Sequence, residues 1–253
     1  MDISEIKYDL ENKGWTIFKN FLTKKDTSKY KKIIFNYLKN NHLKFKGRDI
    51  NYVDNSKDFN KIHSLHALQE CSEVKNFFLK GRLFKLSYLL FGNLKPELRA
   101  SELFKKPKKK GLKAPPHQDD FFWNVKGNKG FTFWIALDDA NKKNGSVYYF
   151  NSSHKLGLVP HVPTYSKGTS QTVKNKKILK TFKKEYLNLN RGDMAIHSSL
   201  IVHGSEENYS KDNRAGWTFC VKPQTSPYDK KRTNNFKKSL TSQLKLREKN
   251  ARI

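Results

Sequence analysis

With 253 residues, the chain is long enough to bury the core of one all-β barrel domain with helical additions. Its hydrophobic fraction of 36% and aromatic fraction of 13% exclude a disordered chain. Lys and Arg number 51 against 23 Asp and Glu, a net charge of +28 that favours encounters with anions but indicates no fold.

The excess of basic residues has three interpretations. It is a composition bias spread over solvated faces, or it attracts an anionic substrate such as a phosphate or a carboxylate, or it binds nucleic acid. The first is favoured because the lysines are scattered along the whole chain. Nucleic acid ranks last, since no nucleic-acid-binding motif is present.

Cysteine usage and the chain ends indicate a compartment. Cys71 and Cys220 form no C-x-x-C pair, which fits a reducing environment. The first residues lack the pattern of a signal peptide, no apolar stretch approaches membrane-spanning length, and the last three residues are not a Ser-Lys-Leu type address. We therefore expect a cytoplasmic protein.

The N-terminal part is predicted to be mainly helical. A short strand over residues 15–18 follows Gly14, and Thr23 is the predicted N-cap of a helix with apolar residues at helical spacing. A second helical stretch is predicted over residues 72–90. We expect these helices to flank a β core.

From residue 98 the pattern changes to short strands separated by turns, which indicates a sandwich or barrel. Asn144-Gly145 and residues 191–193 are the strongest turn signals. No repeat or linker divides the chain, so one domain over residues 1–253 is predicted, with its core at about 98–222. The predicted strands cover residues 101–104, 131–137, 146–150, 194–197 and 216–221.

Two basic segments fall outside this pattern. Residues 166–184 are polar and lie between two predicted strands, where a mobile active-site lid and an inert surface loop are equally compatible with the sequence. Residues 229–253 form a basic tail. A short peripheral helix is favoured there over a nucleic-acid or membrane-surface segment, because its apolar face is thin.

The residues with the clearest chemistry form an H-x-D motif at His117 and Asp119. Residues i and i+2 of a strand point to one face, so both are expected to reach one point inside the barrel. With His203 they form a two-histidine, one-carboxylate set, typical of non-haem Fe(II) oxygenases because it leaves positions for an oxo-acid and O₂. Arg214 follows, and its two-pronged guanidinium suits the distal carboxylate of 2-oxoglutarate.

Neighbouring residues are weaker candidates. Asp120 is a rival ligand, but on a strand it would point away from the first histidine of the motif. His197 precedes His203 by six residues and shares its face, where a supporting or core role is favoured over ligation. Phe121 and Trp123 directly follow the motif and are candidates for an aromatic wall of the substrate site, with an ordinary core strand as the alternative.

Beyond these residues, the chain resembles the phytanoyl-CoA dioxygenase-like family of Fe(II)/2-oxoglutarate enzymes over about residues 8–222. Its opening strand, a strand ending in Lys-Pro, an aromatic strand with Ala-Leu-Asp-Asp-Ala, and the Asn-Gly turn look like that family's motifs. The stretch at residues 203–210 with Arg214 is similar to its distal motif. Asn151-Ser152 stands where Pro-Gly is usual, a difference confined to one loop.

The resemblance implies a double-stranded β-helix, a jelly-roll, cupin-like core with flanking α-helices from the N-terminal part. It implies hydroxylation of a small molecule, with O₂ consumed and succinate and CO₂ released. The lysine excess favours a polar or anionic metabolite as that substrate. Asp119 favours hydroxylation, since relatives that halogenate lack this carboxylate. The implied iron ligands are His117, Asp119 and His203, and the implied 2-oxoglutarate contacts are Arg214, Ser205, Gln118 and Trp134. The last three have alternative roles: Ser205 as a turn cap, Gln118 facing outward and Trp134 as plain core.

Three other functions remain open from the sequence. The same ligands would hold zinc in a hydrolase, although Arg214 would then be unexplained. A non-catalytic basic jelly-roll binding protein would need neither the ligands nor the arginine. The same cofactors would also serve an RNA or protein substrate, which the charge of +28 keeps open.

Overall fold

The computed structural model describes residues 2–54, 56–109, 111–164 and 170–250. The helices described there are α1 (Ile3–Asn12), α2 (Lys24–Asn41), α3 (Ser72–Leu79), α4 (Arg82–Leu90), α5 (Asp119–Trp123) and α6 (Lys230–Asn250). The strands are β1 (Trp15–Phe18), β2 (Ile50–Tyr52), β3 (Ile62–Leu65), β4 (Pro96–Lys106), β5 (Ala114–His117), β6 (Phe131–Ala136), β7 (Val147–Phe150), β8 (His161–Pro163), β9 (Gln171–Val173), β10 (Lys184–Tyr186), β11 (Met194–Ser198), β12 (His203–Ser205) and β13 (Arg214–Pro223).

The strands form two main antiparallel sheets. The larger has the order β1-β11-β6-β13-β4-β3-β2 and the smaller β10-β7-β12-β5, while β8 pairs with β9. Side chains of the two sheets meet between them: Tyr149 of β7 stacks on Trp15 of β1 at 5.0 Å between ring centres. Chain-distant strands pair in both sheets, as in a jelly roll. The predicted fold class is confirmed.

Strand alternation separates a helix-packing face from an interior face on the larger sheet. On β13, Trp217 and Phe219 point toward the helices, where Phe77 of α3 lies 4.7 Å and 5.6 Å from their ring centres. The residues of β13 that alternate with these two, such as Arg214, point between the two sheets. The aromatic core under the helices therefore leaves the interior face free for polar side chains.

The helix predictions hold in part. Thr23 caps α2 as predicted, with its hydroxyl accepting from the backbone N–H of Asp26 at 3.0 Å. The single helical stretch predicted over residues 72–90 is wrong, because it is two helices that break around Gly81. A Cβ atom there would lie 2.2 Å from the carbonyl oxygen of Phe77, so only glycine permits this close approach.

The predicted strands are present with shifted ends, and β4 and β13 are much longer than their apolar runs indicated. Gly145 has a φ of +77°, as the Asn-Gly turn predicted. The turn is no simple hairpin, however, because β6 before it and β7 after it belong to different sheets. It carries the chain from the larger sheet to the smaller.

The two basic segments are more regular than their composition indicated. Residues 165–169 lie outside the described residues, so the choice between lid and loop over 166–184 falls partly there. From residue 170 onward, β9 is buried, and the Thr172 hydroxyl donates to the Pro116 carbonyl at 2.8 Å. The C-terminal tail forms α6, a helix of 21 residues rather than a short one.

Within the described residues, no helix is both long enough and apolar enough to cross a membrane.

Candidate metal centre and adjoining anion pocket

Three predicted ligands converge between the sheets. His117 ends β5 and His203 begins β12, and the two residues are Cα partners in the smaller sheet. Oδ1 of Asp119 lies 3.6 Å from Nε2 of His203 and 3.9 Å from Nε2 of His117. One potential ligand atom from each residue lies within 4.8 Å of the other two. The arrangement is that of a facial metal site.

The predicted strand placement of Asp119 is wrong. Strand β5 ends at His117, Gln118 is extended, and Asp119 is the first residue of the short helix α5. A carboxylate is favourable at a helix N-terminus, which explains the early turn. The turn still brings the carboxylate to the histidines. Asp120 lies fully buried away from the three ligands, paired with Arg232 of α6 at 2.8 Å.

Backbone carbonyls orient both histidine rings. Nδ1 of His117 is 2.8 Å from the carbonyl oxygen of Pro115, and Nδ1 of His203 is 3.1 Å from that of Ile201. These contacts favour the tautomer with the hydrogen on Nδ1, which leaves the Nε2 lone pairs directed at Asp119. Burial lowers the pKa of each ring to about 4, so both are neutral at pH 7 and can bind a metal ion.

The other oxygen of Asp119 is held by two side chains. Oδ2 accepts from the hydroxyl of Thr132 at 2.6 Å and lies 3.1 Å from Nε2 of His197. The opposite nitrogen of His197 is 2.8 Å from the hydroxyl of Tyr149. Burial opposes ionisation, but His203 and His197 outweigh it and lower the pKa of Asp119. The carboxylate is therefore ionised with Oδ1 presented to the histidines, and His197 supports it as predicted.

Replacing Thr132 with Val should weaken metal binding without removing a ligand. Hydrogen bonds that orient metal ligands typically contribute about 10- to 100-fold in affinity. We expect the Fe(II) affinity of Thr132→Val, measured by anaerobic titration, to fall within that range. Thr27→Val, which removes a buried hydroxyl from α2, is the matched control. Equal Fe(II) affinities for all three proteins would show that Thr132 does not support the site.

Two buried basic side chains near the candidate metal centre form what we call the anion pocket. Arg214 is Cα partner to Lys106 at the end of β4, and each is only 2% exposed. One guanidinium nitrogen donates to the Gly145 carbonyl at 2.6 Å, but Nε has no partner. Lys106 donates to the hydroxyl of Ser205 at 2.7 Å. Among the described residues, no carboxylate lies within 4.0 Å of either cation, and uncompensated buried charge is costly unless a ligand neutralises it.

The Arg214 guanidinium also lies over an aromatic ring. Its central carbon is 5.2 Å from the ring centre of Trp134, which is buried. Gly216 makes room for this ring, because a Cβ atom there would lie 2.0 Å from it. Burial lowers the pKa of Arg214 to about 9, so the group remains charged at neutral pH. Burial and the neighbouring Arg214 lower the pKa of Lys106 well below its usual value. The pocket thus combines a guanidinium, an amino group that an anion would help to keep protonated, a hydroxyl and an aromatic wall.

Lys106 is a candidate functional residue that sequence reasoning missed. The Lys-Pro ending of its strand was recognised only as part of a resemblance. Its position opposite Arg214 depends on the register between β4 and β13. Strand alternation counted from that register would have identified it.

Gln118, unlike the other predicted cosubstrate residues, has its side-chain amide bonded to backbone groups of neighbouring loops. Its amide donates to the carbonyls of Gly157 and Leu200 and accepts from the backbone N–H of Val159. It is fully buried. These bonds tie the H-x-D segment to two loops, and a contact with the cosubstrate stays a prediction.

The aromatic residues after the H-x-D motif lie on α5, not on a strand. Trp123 is buried in a small cluster beside the larger sheet, whereas Phe121 stacks on His161 at 4.3 Å between ring centres. Phe122 lies nearer the metal centre, 5.7 Å from the ring centre of His117. Phe236 of α6 packs 5.6 Å from Phe122, so the C-terminal helix borders the wall beside the ligands.

The attachment of α6 depends on Arg232, which bonds both the side chain and the carbonyl of Asp120. Replacing Arg232 with Met would leave a fully buried carboxylate without this partner. We expect the free energy of unfolding to fall by about 1–3 kcal/mol in urea denaturation. Lys231→Met, at an exposed neighbouring position, should have no measurable effect. Adding Asp120→Asn to Arg232→Met should restore part of the lost stability. Equal free energies of unfolding for Arg232→Met and Lys231→Met would contradict this account.

His63 of β3 predicts a loss of stability in acid. Burial, with Lys106 and Arg214 nearby, lowers its pKa from 6.5 to about 3. The folded state disfavours the proton, so this contribution to stability is complete above pH 6.5 and is lost as the pH falls toward 3. It amounts to about 2 kcal/mol between pH 7 and pH 5. Between pH 7 and pH 5, the free energy of unfolding in urea should fall less for His63→Gln than for the wild type. Identical decreases would show that His63 does not cause the acid sensitivity.

A family model described as phytanoyl-CoA dioxygenase (PhyH) matches residues 10–216. The chain is 28% identical to phytanoyl-CoA dioxygenase 1 of Oryza sativa subsp. japonica, over 59% of this chain and 53% of that protein. It is 29% identical to the phytanoyl-CoA dioxygenase domain-containing protein 1 homolog of Caenorhabditis elegans, over 67% and 60%. The chain thus spans little more than half the length of these relatives.

Solved structures show the same fold. EctD from S. alaskensis with 2-oxoglutarate and 5-hydroxyectoine has a TM-score of 0.74 at 15% identity, covering 90% of this chain and 78% of that one. The epimerase SnoN in complex with Fe³⁺, alpha ketoglutarate and nogalamycin RO has a TM-score of 0.70 at 17% identity, covering 89% and 85%. At these identities the likeness concerns the fold alone.

Proposed function

Because this chain belongs to the phytanoyl-CoA dioxygenase family, as its motifs predicted, we propose that it is an Fe(II)- and 2-oxoglutarate-dependent dioxygenase that hydroxylates a small molecule. One observation carries the proposal. Two neutral histidines and an ionised carboxylate converge near buried Arg214 and Lys106, and no carboxylate of the described residues lies within 4.0 Å of either basic group. An oxo-acid bound to the metal at one end, with a distal carboxylate at the other, would occupy the metal centre and the basic pair together.

The residues present fit these groups. His117, Asp119 and His203 would hold Fe(II), with Nε2 and Oδ1 already facing one point. Arg214 would hold the distal carboxylate of 2-oxoglutarate through its unpartnered Nε. Lys106 and Ser205 would add a charge and a hydroxyl, and Trp134 would exclude water from that end.

When bound, iron, 2-oxoglutarate and O₂ would supply the oxidation of a C–H bond to an alcohol, with release of succinate and CO₂. The chain's own residues supply geometry. Thr132 and His197 keep Asp119 ionised and oriented, and carbonyls two residues before each histidine fix the rings. Because the candidate ligands lie on or directly beside strands of the smaller sheet, their geometry would be set before the metal arrives.

We further propose a single catalytic domain, a cytoplasmic location and a small polar metabolite as substrate. The structures that share the fold were solved with small molecules, 5-hydroxyectoine in EctD and nogalamycin RO in SnoN. The uncompensated anion pocket disfavours the zinc hydrolase and the non-catalytic protein, since neither has a use for it.

The test is succinate formation in air with Fe(II), 2-oxoglutarate and ascorbate, stimulated by cell-extract fractions separated by size. A small-molecule hydroxylase predicts stimulation by the low-molecular-mass fraction, and polynucleotides should give none. Stimulation confined to RNA or protein fractions would keep the cofactors but overturn the small-molecule substrate.

A further inference from the structure

A carboxylate that the proposed chemistry does not use, that of Glu102, faces the interior beside the metal centre. Glu102 lies on β4 four residues before Lys106, on the same interior face. Leu103, on the opposite face, packs into the core beneath the helices. The side chain of Glu102 is 18% exposed, close to the 17% of Asp119. Both carboxylates are therefore only partly buried.

Side-chain contacts place Glu102 close to the candidate ligands. Its Oε2 lies 3.8 Å from the sulfur of Cys220. Cys220 is the Cα partner of Thr132 on the neighbouring strand, and Thr132 donates to Asp119 at 2.6 Å. The charge of Glu102 also acts to raise the pKa of His117, against the larger effect of burial. Glu102 is thus separated from the candidate ligand Asp119 by two side chains.

A chain of hydrogen bonds holds the other oxygen of this carboxylate. Oε1 of Glu102 is 2.9 Å from Nδ1 of His66. Nε2 of His66 lies 2.9 Å from the hydroxyl of Ser64, which accepts from the amide of Asn51 at 3.0 Å. This order makes Ser64 the donor to Nε2 and His66 the donor to Glu102. Oε1 is therefore occupied, while Oε2 contacts only a weakly donating thiol in the described part of the chain.

The absence of a lysine or arginine partner at Glu102 is informative because the chain is so basic. Among the described residues, no Lys or Arg lies within 4.0 Å of Glu102, in a chain with 51 of them. A partly buried carboxylate is stabilised by a charged donor, and an alkylammonium group offers one. The lysine-rich surface favours anions at long range, whereas this interior group favours the opposite charge.

We propose that Glu102, positioned by His66, is a specificity-determining residue that binds an ammonium group of the substrate. The inference rests on the proposed oxygenase function and narrows its substrate class to amine-bearing small molecules. The ammonium group would sit at Oε2 of Glu102 and so direct a nearby C–H bond of the substrate toward the position between His117, Asp119 and His203.

Three probes of equal length test this: hexylamine, hexan-1-ol and hexanoate. Each is titrated calorimetrically, without O₂, into protein loaded with Fe(II) and 2-oxoglutarate. We expect hexylammonium to bind the wild type at least about tenfold more tightly than hexanoate, the effect of one charge-assisted bond. Glu102→Gln should lose that preference. Glu97→Gln, which removes a more exposed carboxylate on the same strand, should retain it.

A wild-type preference for hexanoate, or an unchanged preference in Glu102→Gln, would overturn the inference. Folding of Glu102→Gln is checked by its thermal transition and by its Fe(II)–2-oxoglutarate absorption, which should match the wild type. Failure of the oxygenase function is distinguishable, because it would remove this absorption from the wild type. Titration of hexylamine and hexan-1-ol into metal-free protein then tests Glu102 independently, because neither probe is an anion that Arg214 and Lys106 would bind.

Discussion

Replacing His117 with Ala should abolish the visible charge-transfer absorption that Fe(II) and 2-oxoglutarate give with the wild type, and should reduce succinate release to background. The substitution removes one of three converging ligand atoms. The loss of Fe(II) affinity should exceed the roughly 10- to 100-fold expected for a residue that only orients a ligand.

The fold should tolerate His117→Ala. His117 pairs with His203 through the backbone of two strands, and that pairing does not need the ring. Far-ultraviolet circular dichroism should therefore match the wild type. His42→Ala removes a partly exposed histidine that contacts Tyr52 and serves as the control. Undiminished absorption in His117→Ala would exclude this residue as a ligand.

The second large effect is expected from Arg214→Met. The variant should still bind Fe(II), but the 2-oxoglutarate concentration for half-maximal absorption should rise by about 100-fold. Charge-assisted hydrogen bonds contribute roughly 1.5–3 kcal/mol each, and about 2.7 kcal/mol corresponds to 100-fold. Arg214→Lys keeps the charge without the two-pronged geometry, so its half-maximal 2-oxoglutarate concentration should lie between those of the wild type and Arg214→Met.

A stability measurement separates this loss from misfolding. Without ligand, Arg214 is a buried cation whose Nε has no partner. Removing it should leave the thermal stability of the metal-free protein unchanged or higher, since uncompensated buried charge is costly. Arg191→Met is the control for the loss of an arginine elsewhere. An unchanged requirement for 2-oxoglutarate in Arg214→Met would place the distal carboxylate at another site.

The convergence of the three candidate ligands was predictable because the chemistry of a metal site constrains residue type and order more tightly than any packing rule. The carboxylate of Asp119 was predicted to reach the histidines from a strand, whereas it lies on a helix. An i, i+2 spacing describes a strand, but a single helical turn beginning at Asp119 directs the carboxylate to the same point. The local pattern of His117-Gln118-Asp119 is compatible with both.

The position of the C-terminal helix was not predictable from its composition. Its contacts come from one aromatic residue, Phe236, and one ion pair, Arg232 with Asp120, whose partners are separated by 112 residues. A hydrophobic-face argument cannot detect such attachment, because very few apolar positions contribute to it. The Glu102–His66 pair likewise depends on the registry of β3 and β4, which the sequence pattern does not specify.

The most direct test of the central claim is an anaerobic absorbance titration of metal-free wild-type protein, first with Fe(II) and then with 2-oxoglutarate. We predict a visible charge-transfer band that requires both additions and saturates at one equivalent of iron. No band when both are present, with zinc retained or no metal bound, would contradict the oxygenase assignment.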